Sequence, residues 1–499
     1  MGIKSALSVP FAKFQVRGIK RWSANPIKAQ DRVLKYLLRH GKTTAFGVDH
    51  HLAQVDNYTD FKKAVPLRDY EDLKGYFDRI IAGESNVLWK GKPIYLCKTS
   101  GTTSGNKFIP ITRASMPNHI GSARNALLSY IAETGNSGFV NGKMIFLQGS
   151  PILDTSGSIP VGRLSGIAAN HVPAYLLKNR MPSYKTNCIE DWETKLDAIV
   201  EETHNENMTL ISGIPAWVQM YFEKLLEKTG KKTIKEIFPN FSLFVYGGVN
   251  YEPYRSMFEA TIGGKVDALE LFPASEGFFA FQDTREEEGM LLIVNSGIFY
   301  EFVKLEHIHE DNPERISLAD VELGVNYAMI LNTNAGLWGY NIGDTVKFVS
   351  KDPYRVIVSG RIKHFISAFG EHVIAEEVES AIREAIELQQ LEVTEFHVAP
   401  QVTPTEGLPY HEWFIEFKNV PENVEQSAEV IDKILQKKNS YYRDLLEGNV
   451  LRGLRISKVE PGGFVKFMKL RGKLGGQNKI PRLANERTYA DELANFVIE

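Results

Sequence analysis

Two cysteines, Cys97 and Cys188, are all that the 499 residues contain. A disulfide framework is thereby excluded, as is a cysteine-pair metal site, and the usage fits a reducing cytosol. Long apolar runs are missing: no stretch approaches the roughly 20 residues of a helical membrane span. No internal repeat of about 20–50 residues occurs, which excludes a solenoid, and no segment is low in complexity. A charge excess is missing too. The formal net charge of −3 removes the electrostatic reason to expect nucleic acid as a partner. Acidic residues are missing locally: none precedes Asp31, whereas Lys4, Lys13, Arg17, Lys20, Arg21 and Lys28 do. That bias leaves an organelle presequence or a basic amphipathic surface helix open. The preferred reading is a folded helix with a solvated basic face. MGIKSA also lacks the Ser or Thr that a myristoylation signal needs at position 6.

What is present is an ordinary globular composition, 43% hydrophobic and 24% charged, able to bury a large core. The length suits about two to four domains. The first hundred residues read as mostly helical, with Val33, Tyr36, Leu37 and Leu38 on one face of a helix from Ile27 to His40. Strands and helices then alternate. MIFLQGS is a buried strand, IPAWVQMYFEKLLEKTG a helix closed by Gly230, and FSLFVYGG and KVDALELFPASEG are strands that run into loops. This favours an α/β sheet with helices on its faces. MLLIVNSGIFYEFVKLE and NYAMILNT add β-hairpin character. Composition changes near Ser359-Gly360-Arg361. Beyond it, helix HVIAEEVESAIREAI, strands EFHVAP and HEWFIEF, a helix from Val424 to Leu446 and the strand RISKVEP read as a small α+β domain. The expected domains are 1–360 and 361–499. The last 35 or so residues read as a loop-like tail that does not pack a core by itself.

Five segments carry chemistry. KTSGTTSGNKFIP, Lys98 to Pro110, follows a strand. Its glycines let the backbone approach a ligand, and successive N–H groups form a nest for anionic oxygens. Thr99, Ser100, Thr102, Thr103 and Ser104 add hydroxyls, and Lys98 or Lys107 adds charge. Gly101 and Gly105, with Asn106 before Lys107, do not have Walker A spacing. In LFPASEG, Glu276 stands at a strand's carboxyl end, where α/β ligands bind. It suits Mg²⁺ beside a nucleotide, or an ordinary surface loop. In GLWGYNIGD, Asp344 can accept two ribose hydroxyls, although Gly-Asp is also a common turn. SGRIKHFISAFGEH puts Arg361 within reach of the same ligand. KLGGQNKIPR, Lys473 to Arg482, is a basic tail or a loop that swings a lysine into a site.

Together and in this order, these segments resemble the acyl acid-amido synthetases of the Gretchen Hagen (auxin-responsive) family, most closely its bacterial branch, within the acyl-adenylate-forming enzymes. TSGTTSGNKFIP carries the family's extra serine, Ser104. LFPASEG resembles Tyr-x-Ser-Ser-Glu, with Phe272 and Ala274 departing. GLWGYNIGD resembles GLYRYRxGD, with Trp338, Gly339 and Asn341 departing. GQNKIPR resembles NQYKxPR, with Gly476 and Asn478 departing. The similarity runs from about Pro26 to near Arg482.

The resemblance implies a large adenylate-forming α/β domain with mixed sheets and flanking helices, and a small mobile α+β domain. It implies ATP and Mg²⁺ as cofactors, a small carboxylic acid as substrate, and an amine, typically of an amino acid, as acceptor. Ser100, Gly101, Thr102, Thr103, Ser104 and Lys107 would form the phosphate loop. Gly247 and Gly248 would line the adenine pocket. Ala274, Ser275 and Glu276 would border adenine and acyl group, with Glu276 near Mg²⁺. Asp344 and Arg361 would face ribose, Lys363 would be the hinge, and Lys479 the mobile lysine serving adenylation. SGRIKHFISAFGEH looks like the acyl-CoA synthetase version, which leaves CoA open as acceptor. The departures at Ala274 and Gly339 leave a non-catalytic nucleotide-binding protein open. The candidate acyl-pocket segments, by position alone, are SGIAANHV and SGIPAWVQ. No nucleic acid or membrane partner is expected, and the chain is read as a cytoplasmic monomer.

Overall fold

A computed structural model describes residues 3–498 apart from 101–105, 157, 172–177, 190, 248–250, 252–254, 363–364, 367–370, 372, 403, 449–450, 474–479 and 485. The chain divides into two compact units, Met1–Val249 with Thr261–Val358, and Asn250–Ala260 with Ser359–Glu499.

The large unit begins with helices. Ile3–Ser23 buries Ala12 and Ile19, in a cluster shared with the helix Met116–Thr134, and leaves Lys13, Arg17, Lys20 and Arg21 exposed. Pro26–Gly41 starts on a proline at its first turn and buries Val33, Leu34, Leu37 and Leu38. That is the i, i+4 stripe expected of a core-facing helix. Tyr70–Ile81 is held by a capping box of Asp69 and Asp72, which satisfies two otherwise orphan donors.

A four-stranded sheet follows. Tyr95–Ser100 pairs antiparallel with Asn106–Ile111 and parallel with Ile159–Gly162, and Asp154–Ser156 closes the edge. A twelve-stranded sheet forms the centre of the unit. One half is parallel: Lys143–Phe146, Arg180–Met181, Met208–Ser212, Leu243–Gly247 and Asp267–Ala274. Ile211, Leu243, Phe244 and Val245 are buried in it, as expected of strands covered on both faces. At Ala274 the direction reverses. Asp267–Ala274 turns through Ser275 and Glu276 into Gly277–Phe281, with Ala274 opposite Gly277, and the largely antiparallel half begins. Met290–Leu292 pairs with Gly277–Phe281 and Tyr354–Arg361, so it is not the hairpin partner of Ile298–Lys304. The latter pairs with Asn326–Thr333.

The small unit has a three-stranded sheet: Glu392–Gln401 antiparallel to Tyr410–Asn419, which is parallel to Arg455–Val459. Alternation along the middle strand supplies two cores. Trp413 and Ile415 pack with helices Ala375–Gln389 and Val424–Lys438. Phe414 packs with helices Gly463–Leu470 and Thr488–Leu493 through Phe464, Phe467 and Leu493. The C-terminal segment therefore completes a core, where composition suggested a loop-like tail. The helix expected from Val424 to Leu446 is broken at Asn439, which is extended (φ −123°, ψ 108°). The Asn439 side chain accepts the Tyr442 N–H at 2.8 Å. A side-chain amide that offers the backbone this alternative starts a new helix instead of continuing the old one.

Candidate active site

The parallel strands all end on one side of the sheet, and the turn that reverses direction there carries Ser275 and Glu276. Gly247 ends the neighbouring strand opposite Leu271. A Cβ at Gly247 would lie 2.5 Å from the Leu271 carbonyl oxygen, so only glycine allows these strands to close up. The turn is fixed from two directions. The Cys97 thiol donates to Ser275 Oγ at 3.2 Å. This ties the turn to the strand that leads into the expected phosphate loop. Burial drives the Cys97 thiol up to about 12, with Glu276 adding a smaller push; Cys97 thus stays a neutral thiol donor. From the other side, Asn118 accepts the Phe278 N–H at 2.7 Å and donates to the Phe278 carbonyl at 2.9 Å. It clips the hairpin at the bulge between Phe278 and Ala280.

Asp344 arrives from a separate strand, Tyr340–Lys351, and is buried. Tyr340 starts that strand and links the two motifs. Burial holds its hydroxyl well above the ordinary tyrosine range, and the negative charges of Glu276, Asp69 and Asp344 add to the effect. Glu276 and Asp344, far apart in sequence, thus lie within electrostatic reach of one phenol. Lys107 is paired across the strands with Thr99. Its Nζ stands 5.4 Å above the Tyr70 ring, and the Tyr70 hydroxyl accepts the Phe108 N–H at 3.0 Å.

The departures at Ala274, Trp338, Gly339 and Asn341 each have a local structural reason. Ala274 packs on the core around Phe272 and Phe279. Trp338 is fully buried, stacks on Phe46 at 5.7 Å and donates its indole N–H to the Leu88 carbonyl at 3.0 Å. Gly339 has φ +58°, and a Cβ there would lie 2.3 Å from the Pro66 carbonyl oxygen. Asn341 accepts the Gly343 N–H at 2.9 Å, shaping the turn before Asp344.

Gly247, Ala274, Ser275 and Glu276 lie at the ends of two neighbouring strands, Asp344 lies on the strand that begins at Tyr340, and Lys107 stands over Tyr70. Ser100 and Arg361 are described by backbone alone, in the strands Tyr95–Ser100 and Tyr354–Arg361. Gly101, Thr102, Thr103, Ser104, Gly248, Lys363 and Lys479 lie outside the described residues. Among the described residues no group of three or more His, Cys, Asp or Glu could hold a metal alone. A single carboxylate at a turn suits Mg²⁺ that arrives with phosphate oxygens, and Glu276 is such a group. Sequence reasoning missed Tyr340, Cys97 and Asn118. Tyr340 sits inside a quoted motif but reads as strand filler, and Asn118 gives no local signal.

Profiles of the GH3 family match most of the chain: the N-terminal domain at residues 15–187 and 161–266, the central domain at 291–358 and the C-terminal domain at 376–488. The chain belongs to the GH3 family. The indole-3-acetic acid-amido synthetase GH3.15 of Arabidopsis thaliana is 23% identical to it, over 96% of this chain and 94% of its own. The jasmonoyl–L-amino acid synthetase JAR6 of Nicotiana attenuata is 22% identical, over 91% and 90%. The solved structure of the GH3.15 acyl acid amido synthetase matches with a TM-score of 0.80 at 17% identity, covering 98% of this chain and 97% of that one. At such identity the likeness is one of fold, and the GH3 fold is the one described above.

Proposed function

We propose that this GH3 protein is an ATP-dependent acyl acid-amido synthetase. A substrate carboxylate oxygen attacks the α-phosphorus of ATP and pyrophosphate leaves. The amine of an amino acid then attacks the acyl carbon, loses a proton and displaces AMP, giving the amide. The observation that carries this reading is the Ser275–Glu276 turn at the carboxyl end of the parallel strands, where α/β folds bind ligands; the charges of Glu276 and Asp344 both act on the buried Tyr340.

In this reading the region 1–360 holds ATP and the acid. Ser100, Gly101, Thr102, Thr103, Ser104 and Lys107 bind phosphates, Gly247 and Gly248 border adenine, and Asp344 and Arg361 take the ribose hydroxyls. Glu276 orients Mg²⁺, which supplies charge neutralisation on the phosphates when bound. The region from 361 onward, with Lys363 as hinge, presents Lys479 to the α-phosphate. Such catalysis is positioning plus electrostatics. Among the described residues no helix is long and apolar enough to cross a membrane. A cytoplasmic, monomeric enzyme remains part of the proposal.

The acceptor is tested by incubating the full chain with ATP, Mg²⁺ and a panel of carboxylic acids, with either amino acids or CoA, and weighing the products. N-acyl amino acids together with AMP are expected. Acyl-CoA as the sole condensation product would reassign the second step. ATP binding with no acid-dependent pyrophosphate would remove the ligase reading.

A further inference from the structure

Beside the nucleotide residues lies a polar patch that the reading above does not use. It is built where three segments converge past the end of the strand Lys143–Phe146. Lys195, on the helix Trp192–Thr203, has a side chain only 2% exposed and donates to the carbonyls of Gln148 at 3.0 Å and Asn187 at 2.8 Å. The helix Leu164–Ala169 abuts the segment after Gln148. A Cβ on Gly166 would stand 2.4 Å from the Ser150 carbonyl oxygen, and Asn170 donates to the Pro151 carbonyl at 3.3 Å. Arg163 precedes that helix and follows the strand whose Gly162 is opposite Cys97. Since Cys97 bonds Ser275, Arg163 starts beside the candidate active site.

Among the described residues Gln148 Nε2, Ser165 Oγ and Trp192 Nε1 are buried without a hydrogen-bond partner, as is one acceptor, Asn187 Oδ1. Trp192 lies against Trp217 at 5.0 Å, so SGIAANHV and SGIPAWVQ both border the patch. Arg163 is half-buried, and its guanidinium has no partner among the described residues; burial alone lowers its pKa. Burial also lowers the Lys195 ammonium to about 8; Cys188 opposes this and Arg163 adds to it. Buried donors are normally satisfied. Lys195 is bonded to the backbone of Gln148 and Asn187, whose side chains carry two of these atoms, and Ser165 follows Arg163 by two residues; one oxyanion would answer the unpartnered guanidinium and these donors together.

We propose that Arg163 and Lys195, with Gln148, Ser165 and Trp192, form a subsite for a carboxylate other than the one that is adenylated. On the ligase reading, from which the source of this group is taken, it is the α-carboxylate of the amino-acid acceptor. A second carboxylate on the acyl acid has the same chemistry and is separated by experiment.

The first arm needs no turnover. Thermal unfolding of the full chain is followed against succinate and chloride at matched ionic strength. Succinate is expected to raise the midpoint of the wild type. Half-maximal response in R163Q should need about tenfold more succinate, and R163K should recover most of it. No rise in the wild type, or equal responses in wild type and R163Q, would overturn the subsite. The second arm compares an amino acid with its decarboxylated amine as acceptor, and a mono- with a dicarboxylic acid as substrate. For the acceptor source, R163Q raises KM for the amino acid about tenfold more than it changes pyrophosphate exchange, and the wild type's preference for amino acid over amine is lost. If R163Q instead raises KM for the dicarboxylic acid alone, the acceptor assignment falls. If the wild type exchanges no pyrophosphate with any acid, the ligase reading fails while the succinate arm still decides the subsite.

Discussion

Replacing Lys479 by alanine is expected to slow acid-dependent pyrophosphate release more than tenfold, with the unfolding midpoint unchanged. The α-phosphorus gains negative charge on its oxygens as the carboxylate attacks, and a lysine ammonium is a compact point charge able to meet it. Tenfold corresponds to about 1.4 kcal/mol of transition-state stabilisation, a modest demand on one such contact. The small unit offers firm ground just after this residue. His397 donates through Nδ1 to the Pro481 carbonyl at 2.7 Å. The Val398 N–H donates to the Arg482 carbonyl and the Ala484 N–H to the Val398 carbonyl, each at 2.9 Å, and Arg482 pairs with Glu395. Burial lowers His397 to about 4, so it stays neutral and this anchor does not titrate near neutral pH. Rapid-quench measurement of the pyrophosphate burst checks the prediction; a burst of unchanged rate would remove Lys479 from the first step.

Gly339→Arg, which restores the residue expected from the family pattern, is predicted to destabilise the large unit by about 3 kcal/mol or more. A side chain at φ +58° costs roughly 1–2 kcal/mol. The Cβ would also lie 2.3 Å from the Pro66 carbonyl oxygen, a backbone atom that cannot swing aside. Relief requires moving the strand that begins at Tyr340. That strand is tied by Arg68 N–H to the Gly339 carbonyl at 2.8 Å and by Asn341 N–H to the Arg68 carbonyl at 2.7 Å. Because Asp344 lies on the same strand, nucleotide affinity should fall with stability. Urea unfolding measures the loss, and an unchanged midpoint would mean that the Pro66 segment yields at little cost.

Much of the fold is legible because it is written locally. The stripe of Val33, Leu34, Leu37 and Leu38 marks one helix, and Gly230 in the left-handed region ends another. The paired glycines and the Ala274–Glu276 turn mark strand ends. Pairing over long distances is not local, so nothing in MLLIVNSGIFYEF tells that Met290–Leu292 joins Tyr354–Arg361. The site divides in the same way. Glu276 and Asp344 stand in motifs whose residue types suit a nucleotide. Asn118 and Lys195 come from separate segments, and each becomes informative only beside Phe278 or Gln148. The departures at Trp338 and Gly339 look like erosion in one dimension. In three dimensions they are fitted to Leu88 and Pro66.

The central claim is that a carboxylate attacks the α-phosphorus. It is tested most directly with an acid carrying ¹⁸O in both carboxyl oxygens, ATP, Mg²⁺ and an amino acid. One labelled oxygen must then leave as part of AMP and the other must stay in the amide, because the bond formed to phosphorus is kept when the amine displaces AMP. Mass spectrometry of the products is predicted to find one ¹⁸O in AMP and one in the amide. Unlabelled AMP, with label in inorganic phosphate or nowhere but the acid, would contradict the account.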